Sequence, residues 1–305
     1  MFNTLKRIGL KCSVYKLVSR LFPKDPQVTT ACDRIGAYRY LKRYEYILDQ
    51  AFPASISSNQ NKKKNIIWLC WLQGYDNAPL LVQKCRESVI RHNPNVDVII
   101  IDNTNLEQYI QLPSYIKRKH ELGVIPNAHY ADLIRISLLA QYGGTWIDST
   151  VYMTSGLPDY ISLSDLFCYK VPPLGKSIMS NWFISSAPNN PIILQMKALL
   201  FGYWEKENRL VSYSIFHLFW TMIISFNKAN ETLWNRIPYF DDVNCKILQM
   251  ELFDTYSSIR FQQIKSMSPI HKLTYKFTNE STKLENTFYK YLIQCQDLAG
   301  DNDRE

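Results

Sequence analysis

The chain has 305 residues, of which 46% are hydrophobic and 13% aromatic; this indicates a folded protein, with length enough for one large domain or a domain with an appendage. Seven cysteines without C-x-x-C or Cys/His spacing exclude a disulfide framework and a structural zinc site, and a reducing cytoplasm is the simplest compartment. The formal net charge of +8 favours an anionic neighbour such as a phosphate ligand or a membrane surface, while the lack of an aromatic–basic RNA-binding signature argues against nucleic acid as a partner.

Residues 1–22 carry Lys6, Arg7, Lys11, Lys16 and Arg20 and no acid. Charge interrupts their apolar residues too often for a bilayer span, and no continuous apolar run or small-residue cleavage site marks a signal peptide. A basic amphipathic helix lying at the inner face of a membrane and a plain helix packed on the domain both fit. Ile35, Tyr38, Leu41, Tyr44 and Leu48 write a further helix over 31–51, and the polar run PASISSNQNKKK over 53–64 reads as a linker. This divides the chain into a helical N-terminal extension with linker (1–64), a principal domain (65–296) and a tail read as disordered (297–305).

Asn65 to Leu72, NIIWLCWL, is nearly continuously apolar and reads as a buried strand. Pro79 opens an amphipathic helix reaching about His92, and Val96 to Ile101 is a second buried strand. Strand, helix and strand at this length form a right-handed βαβ unit with parallel strands. On the residues alone, Trp68 and Trp71 belong to the core. Two short helices follow between Asn105 and Leu122, and Lys117-Arg118-Lys119 there reads as a solvated face.

The stretch NAHYADLIRISLLAQYGGTWIDSTVY, 127–152, organises the rest. Asn127 is expected to cap a helix, and Ala128, Ala131, Ile134, Leu138 and Tyr142 to form its buried stripe. Asp132 and Arg135, three apart, are neighbours on that helix. Gly143-Gly144 ends it, and Thr145-Trp146-Ile147 is a short strand that delivers Asp148, Ser149 and Thr150 to its C-terminal end. Open α/β sheets bind ligands at such strand ends, and Asp148 is a hard oxygen donor suited to Mg²⁺ or Mn²⁺. Taken alone, Asp148 reads more simply as a solvated aspartate after a strand.

Two further strands are expected at Leu166–Val171 and Trp182–Ser186, then a helix from Pro191 to about Glu207. Val211 to Phe226 is very apolar but too short to span a membrane, so it reads as a buried helix with His217 as a hydrogen-bonded core histidine. Near the end, His271 and Lys272 set an imidazole beside an ammonium, a pairing that suits a diphosphate. Thr282 to Gln294 reads as the last helix.

The pattern D-x-x-R, a short gap, Y-G-G, then W-I-D-x-T-V stands on Asp132, Arg135, Tyr142, Gly143, Gly144, Trp146, Asp148, Thr150 and Val151. It resembles the sugar-nucleotide site of the capsular polysaccharide synthesis proteins, glycosyltransferases related to family 32 with a DXD-type sugar-binding motif. The earlier I-I-W-x-x-W-x-Q-G followed by A-P is similar to the opening of that family's catalytic domain. The resemblance implies a GT-A-like α/β domain with a mostly parallel central sheet. It also implies a nucleoside-diphosphate sugar donor, a glycan acceptor linked to lipid at a bacterial membrane, and a retaining course.

By the same resemblance Trp71, Gln73 and Gly74 contact the nucleotide, and Gly143, Gly144, Asn181 and Trp182 belong to the donor site. Asp132 and Arg135 hold sugar hydroxyls, His271 and Lys272 hold the leaving diphosphate, and Mn²⁺ or Mg²⁺ is held by Asp148, Thr150 and His271. Asp148, Asp132 and Arg135 are the catalytic candidates. The chain departs from the pattern at Thr150, where a full D-x-D motif has a second aspartate. It departs again at Ser212-Tyr213, where relatives tend to carry an acid, so that acid's role does not carry over. Two other readings stay open: a non-catalytic sugar-nucleotide or glycan binder, and a peripheral membrane scaffold organised by residues 1–22.

Overall fold

The computed structural model describes residues 26–51, 65–172 and 177–294, with a few single positions between 14 and 21. The membrane-surface reading of 1–22, the linker and the tail lie outside these stretches. Two helices precede the sheet, α1 (Pro26–Leu41) and α2 (Tyr46–Ala51). The apolar run forms β1 (Ile66–Cys70), the amphipathic segment forms α3 (Leu80–His92), and β2 (Asp97–Ile101) pairs parallel with β1. The expected βαβ unit is therefore present. Short helices α4 (Leu106–Tyr109) and α5 (Ser114–Glu121) lead into α6 (Asn127–Tyr142), and β3 (Gly144–Ile147) returns parallel to β1.

Beyond β3 come β4 (Val151–Met153), α7 (Asp159–Ser162), β5 (Leu166–Lys170) and β6 (Met179–Ser186). β6 pairs antiparallel with both β3 and β5, giving the strand order β2-β1-β3-β6-β5. Four strands run one way and β6 runs against them, so the central sheet is mostly parallel. The long helices α8 (Pro191–Lys206) and α9 (Ile215–Phe226) follow. The chain then passes through α10 (Lys228–Arg236), α11 (Ile247–Met250), α12 (Ser258–Met267), β7 (Ile270–Lys272) and α13 (Phe288–Gln294). Among the described residues, no helix is long and apolar enough to cross a membrane.

Four local expectations are corrected. Asn127 is the first helical residue instead of the cap; extended Pro126 takes the capping position, and the Asn127 amide oxygen lies 2.9 Å from His120 Nε2. α6 is buried from Ile134 to Ala140 around its whole circumference, whereas Ala128 and Ala131 face a cavity. α9 begins at Ile215, later than Val211, which leaves Tyr213 in a loop and 74% exposed. The last helix starts at Phe288, after a 3-10 turn over Ser281–Lys283.

The helices over 26–51 are docked on the sheet-bearing part of the chain. Leu41 and Leu48 are fully buried, and the hydroxyls of Tyr40 and Tyr44 both donate to Glu207 Oε1, at 2.5 and 2.7 Å. Gly202 of α8 admits Ile47 at close range, since a Cβ there would lie 2.5 Å from Ile47 Cδ1. A second, smaller core sits away from the sheet. It joins Leu81 and Cys85 of α3 to Leu252, Ile264, Leu273 and Phe288, and the two-stranded β4–β7 sheet lies between the cores, with Val151, Met153 and Ile270 in the main one and Tyr152 in the second. That sheet, absent from the sequence reading, brings the C-terminal region to the end of β3.

Candidate functional site

The backbone of Asp148 is held at the end of β3 by its N–H, which donates to Trp182 O on β6 at 2.9 Å. Side chains two apart on a strand share a face, and Trp146 accordingly donates its Nε1–H to Asp148 Oδ1 at 2.9 Å. Arg135 reaches the same oxygen from α6, Nη2 donating at 2.9 Å, while its Nη1 donates to Asp132 Oδ1 at 2.6 Å. The guanidinium thus spans both carboxylates. It is only 4% exposed and lies over the Trp146 ring at 4.9 Å and the Phe216 ring at 5.6 Å. Asn181 completes this wall, its Nδ2 donating to Asp132 Oδ1 at 3.2 Å.

The opposite wall comes from β7. Val151 pairs with Lys272, and the Lys272 ammonium donates to Asp148 Oδ2 at 3.2 Å and to Thr150 Oγ1 at 2.5 Å. Ser149 ties the end of β3 to the end of β1, its hydroxyl donating to Cys70 O at 2.5 Å.

Two carboxylates and two cations therefore meet at one point, with different consequences for each acid. Burial pushes the Asp132 carboxyl up to about 6 against the pull of Arg135. Burial acts on Asp148 in the same direction, but Lys272 and Arg135, with hydrogen bonds from Trp146 and Lys272, outweigh it and hold that carboxyl below its usual range. Asp148 is thus the firmly ionised member, and its side chain keeps 27% exposure toward the cavity. His129 stands 3.8 Å from Asp132 Oδ2, with both ring nitrogens lacking a hydrogen-bond partner. Burial, then Arg135, lowers it to about 4, so it is neutral near pH 7.

These groups line a cavity of about 690 Å³ beyond the C-terminal ends of β1 and β3. The structure brings together Trp71, Gln73, Asp132, Arg135, Asp148, Thr150, Asn181 and Lys272. It leaves the other expected donor-site residues out. Gly74, with φ +80°, opens a 3-10 turn behind Gln73. Gly143 and Gly144 sit at the far end of β3, where a Cβ would come within 2.6 Å of Pro188 N and 2.7 Å of Ile66 O respectively. Close backbone approach, together with positive φ, accounts for both glycines. Trp182 follows Asn181 on β6, faces away, and stacks on Tyr169 with ring centroids 5.0 Å apart.

His271 is corrected on the same ground. It precedes Lys272 on β7, is fully buried on the other face, and its Nε2 lies 3.2 Å from Thr154 Oγ1. Burial lowers it to about 4. The donor set does not fit a divalent cation: His271 points away, and one ammonium already occupies Asp148 Oδ2 and Thr150 Oγ1. The described residues contain no group of three His, Cys, Asp or Glu placed to hold a metal ion.

Sequence reasoning missed His129, Tyr213 and Tyr275, all on the cavity wall, and took His217, which also lines it, for a core residue. A signal existed for His129, which lies three residues before Asp132 as Asp132 does before Arg135. For Tyr213 the signal was its place at Ser212-Tyr213, where relatives tend to carry an acid, but its entry into the cavity wall depends on where α9 starts.

A ligand cavity outside the carboxyl ends of parallel strands marks the open α/β enzymes, and this chain is of that class, GT-A-like in its mostly parallel sheet. More narrowly, residues 33–292 match the family model of the capsular polysaccharide synthesis proteins, and the chain belongs to that family. It is similar to an uncharacterized glycosyltransferase of Acanthamoeba polyphaga mimivirus, 25% identical over 175 residues, which are 55% of this chain and 67% of the relative. It is also similar to the O-glycosyltransferase braB of Annulohypoxylon truncatum, 27% identical over 158 residues, covering 46% of this chain and 37% of that protein. Among solved structures, the PaToxG glycosyltransferase aligns with 88% of this chain and 97% of its own, at 14% identity and a TM-score of 0.41.

Proposed function

We propose that this glycosyltransferase moves a sugar from a nucleoside-diphosphate donor to a hydroxyl of a glycan acceptor. The observation that carries the reading is Asp148, ionised at a strand end and held between Arg135 and Lys272 at the floor of the cavity. In the reaction the bond between the anomeric carbon and the diphosphate oxygen breaks, and its electron pair stays with the diphosphate. The acceptor oxygen forms the new bond and gives up its proton to the departing diphosphate. Negative charge grows on the leaving group, and a fixed cation aimed at that charge lowers the barrier.

The residues divide into roles along the cavity. Trp71 and Gln73, beyond β1, take the nucleoside end. Asp132, with Asn181 beside it, accepts from sugar hydroxyls by charge-assisted hydrogen bonds. Asp148 and Arg135 orient the charges around the diphosphate. The acceptor class, a lipid-linked glycan of a bacterial surface polysaccharide, and a retaining course follow from the family's sequence pattern and are proposed with it.

A thermal-shift screen of UDP, GDP, CMP and their sugar derivatives tests the reading, because a ligand that binds the folded state raises its melting temperature. One nucleotide class is expected to stabilise the wild type, and Asp148→Ala to fold yet lose turnover. Turnover retained in Asp148→Ala refutes the site; a sugar nucleotide bound without turnover on any acceptor favours the non-catalytic binder.

A further inference from the structure

Lys272 reaches between the two oxygens that the motif marks for a metal. Its ammonium donates to Asp148 Oδ2 at 3.2 Å and to Thr150 Oγ1 at 2.5 Å. Mg²⁺ requires such oxygens at roughly 2.0–2.1 Å in a near-ideal shell, and an ammonium and a divalent ion cannot share that gap. The placement is built into the backbone: Val151 pairs with Lys272, and Leu273 N donates to Thr150 O at 2.8 Å. The Lys272 side chain is 20% exposed, so this is not a solvated surface lysine.

The hydrogen-bond inventory points the same way. An ammonium has three donors and no acceptor. Two N–H groups are used by Asp148 and Thr150, and Lys272 lines the cavity, where the third is available to an incoming anion. Lys276 adds a second ammonium to the same wall.

We propose that Lys272 takes the place of a divalent cation, so that the donor's diphosphate is held by the third N–H of its ammonium and binds without Mg²⁺ or Mn²⁺. As the bond to the sugar breaks, that ammonium meets the charge left on the diphosphate oxygen, and no proton or electron needs to move to it. The inference rests on the donor reading above and adds to it the identity of the neutralising cation. Thr150 then has a positive role. A hydroxyl anchors the ammonium without adding a negative charge to the one Asp148 already sets beside it, whereas the second aspartate of a full D-x-D motif would place two carboxylates against an incoming diphosphate.

Calorimetric titration of UDP and GDP into the whole chain, in excess EDTA and then in Mn²⁺, tests this. The wild type is expected to bind one of them with a Kd that differs by no more than about twofold between the two conditions. Lys272→Ala is expected to lose about tenfold or more in EDTA, a change of roughly 1.4 kcal/mol per tenfold, and to recover part of it in Mn²⁺ because Asp148 and Thr150 are then free. Electron paramagnetic resonance should accordingly detect nucleotide-dependent Mn²⁺ binding in Lys272→Ala and not in the wild type. Wild-type binding that requires Mn²⁺ overturns the inference and leaves the donor reading standing. Failure of the wild type to bind either nucleotide in both conditions removes the donor reading and the inference with it. The wild-type comparison needs no variant, so it decides the matter even if Lys272→Ala does not fold.

Discussion

Two walls face each other across the cavity, and they are assembled by different means. One is a single continuous stretch, 127–152, in which α6, a glycine turn and β3 set Asp132, Arg135 and Asp148 within 16 residues of one another inside the main core. The other is Lys272, which meets Asp148 from 124 residues away on a small sheet wedged between the main core and the second one. The first wall is a buried network in which one guanidinium bridges two carboxylates. The second is a half-buried contact that a different register of β7 would dissolve. The contrast suggests that the first wall carries stability and the second carries the charge offered to a ligand.

Arg135→Met strikes the first wall hardest. It leaves two carboxylates beside each other without their shared cation, and breaking a buried pair costs roughly 3–5 kcal/mol. For a chain of this size, each kcal/mol corresponds to roughly 2–4 °C, so calorimetry should find a melting temperature lower by on the order of 10 °C. A drop below about 2 °C would mean that the three charges do not act as a unit.

Gly143→Ala tests the far end of the same wall. Its Cβ would lie 2.6 Å from Pro188 N at a φ of +67°, and strain of this kind costs about 1–3 kcal/mol. Urea unfolding should register that loss while nucleotide affinity in the folded variant stays unchanged, separating a packing role from a donor contact. Lys272→Ala is expected to behave in the opposite way. Asp148 keeps its bonds from Arg135 and Trp146 in that variant, so the stability loss should be smaller than in Arg135→Met, yet nucleotide affinity should fall by the factor given above.

The smallest effect is in pH. With its folded-state pKa raised to about 6 from 3.8, Asp132 keeps a proton in the folded chain that the unfolded chain has released. Its contribution to stability is therefore full below about 3.8 and is lost as pH rises through about 6. His129, His217 and His271 are lowered to about 4 from 6.5, so their contribution runs the other way and is lost as pH falls through that window. Asp132→Asn isolates the first term: its melting temperature should gain on the wild type between pH 4 and pH 6, and level differences across that range would contradict the assignment.

The first wall was legible in the sequence because its geometry is local. Asp132 and Arg135 are one helical turn apart, Gly143-Gly144 can only end a helix, and Thr145 to Ile147 can only be a short strand. Other expectations failed by strand parity. Asn181 with Trp182, and His271 with Lys272, are adjacent residues, and a strand sends adjacent side chains to opposite faces. Only one of each pair reaches the cavity, and which one depends on registers, Ile147 with Phe183 and Tyr152 with His271, that no local pattern announces. The β4–β7 sheet was unreadable for the same reason: three-residue strands carry too little alternation to declare themselves. Tyr213 entered the cavity wall because Ser212 to Ser214 form a turn before α9, although the apolar run had pointed to helix from Val211.

The most direct measurement is release of nucleoside diphosphate from its sugar donor, followed in the wild type and in Asp148→Ala under conditions where both are folded by circular dichroism. The account predicts steady release by the wild type and a loss of about 100-fold or more in the variant, the scale at which one preorganised electrostatic group commonly acts. Equal release by the two chains would contradict it, because the site would then lie elsewhere than at the end of β3.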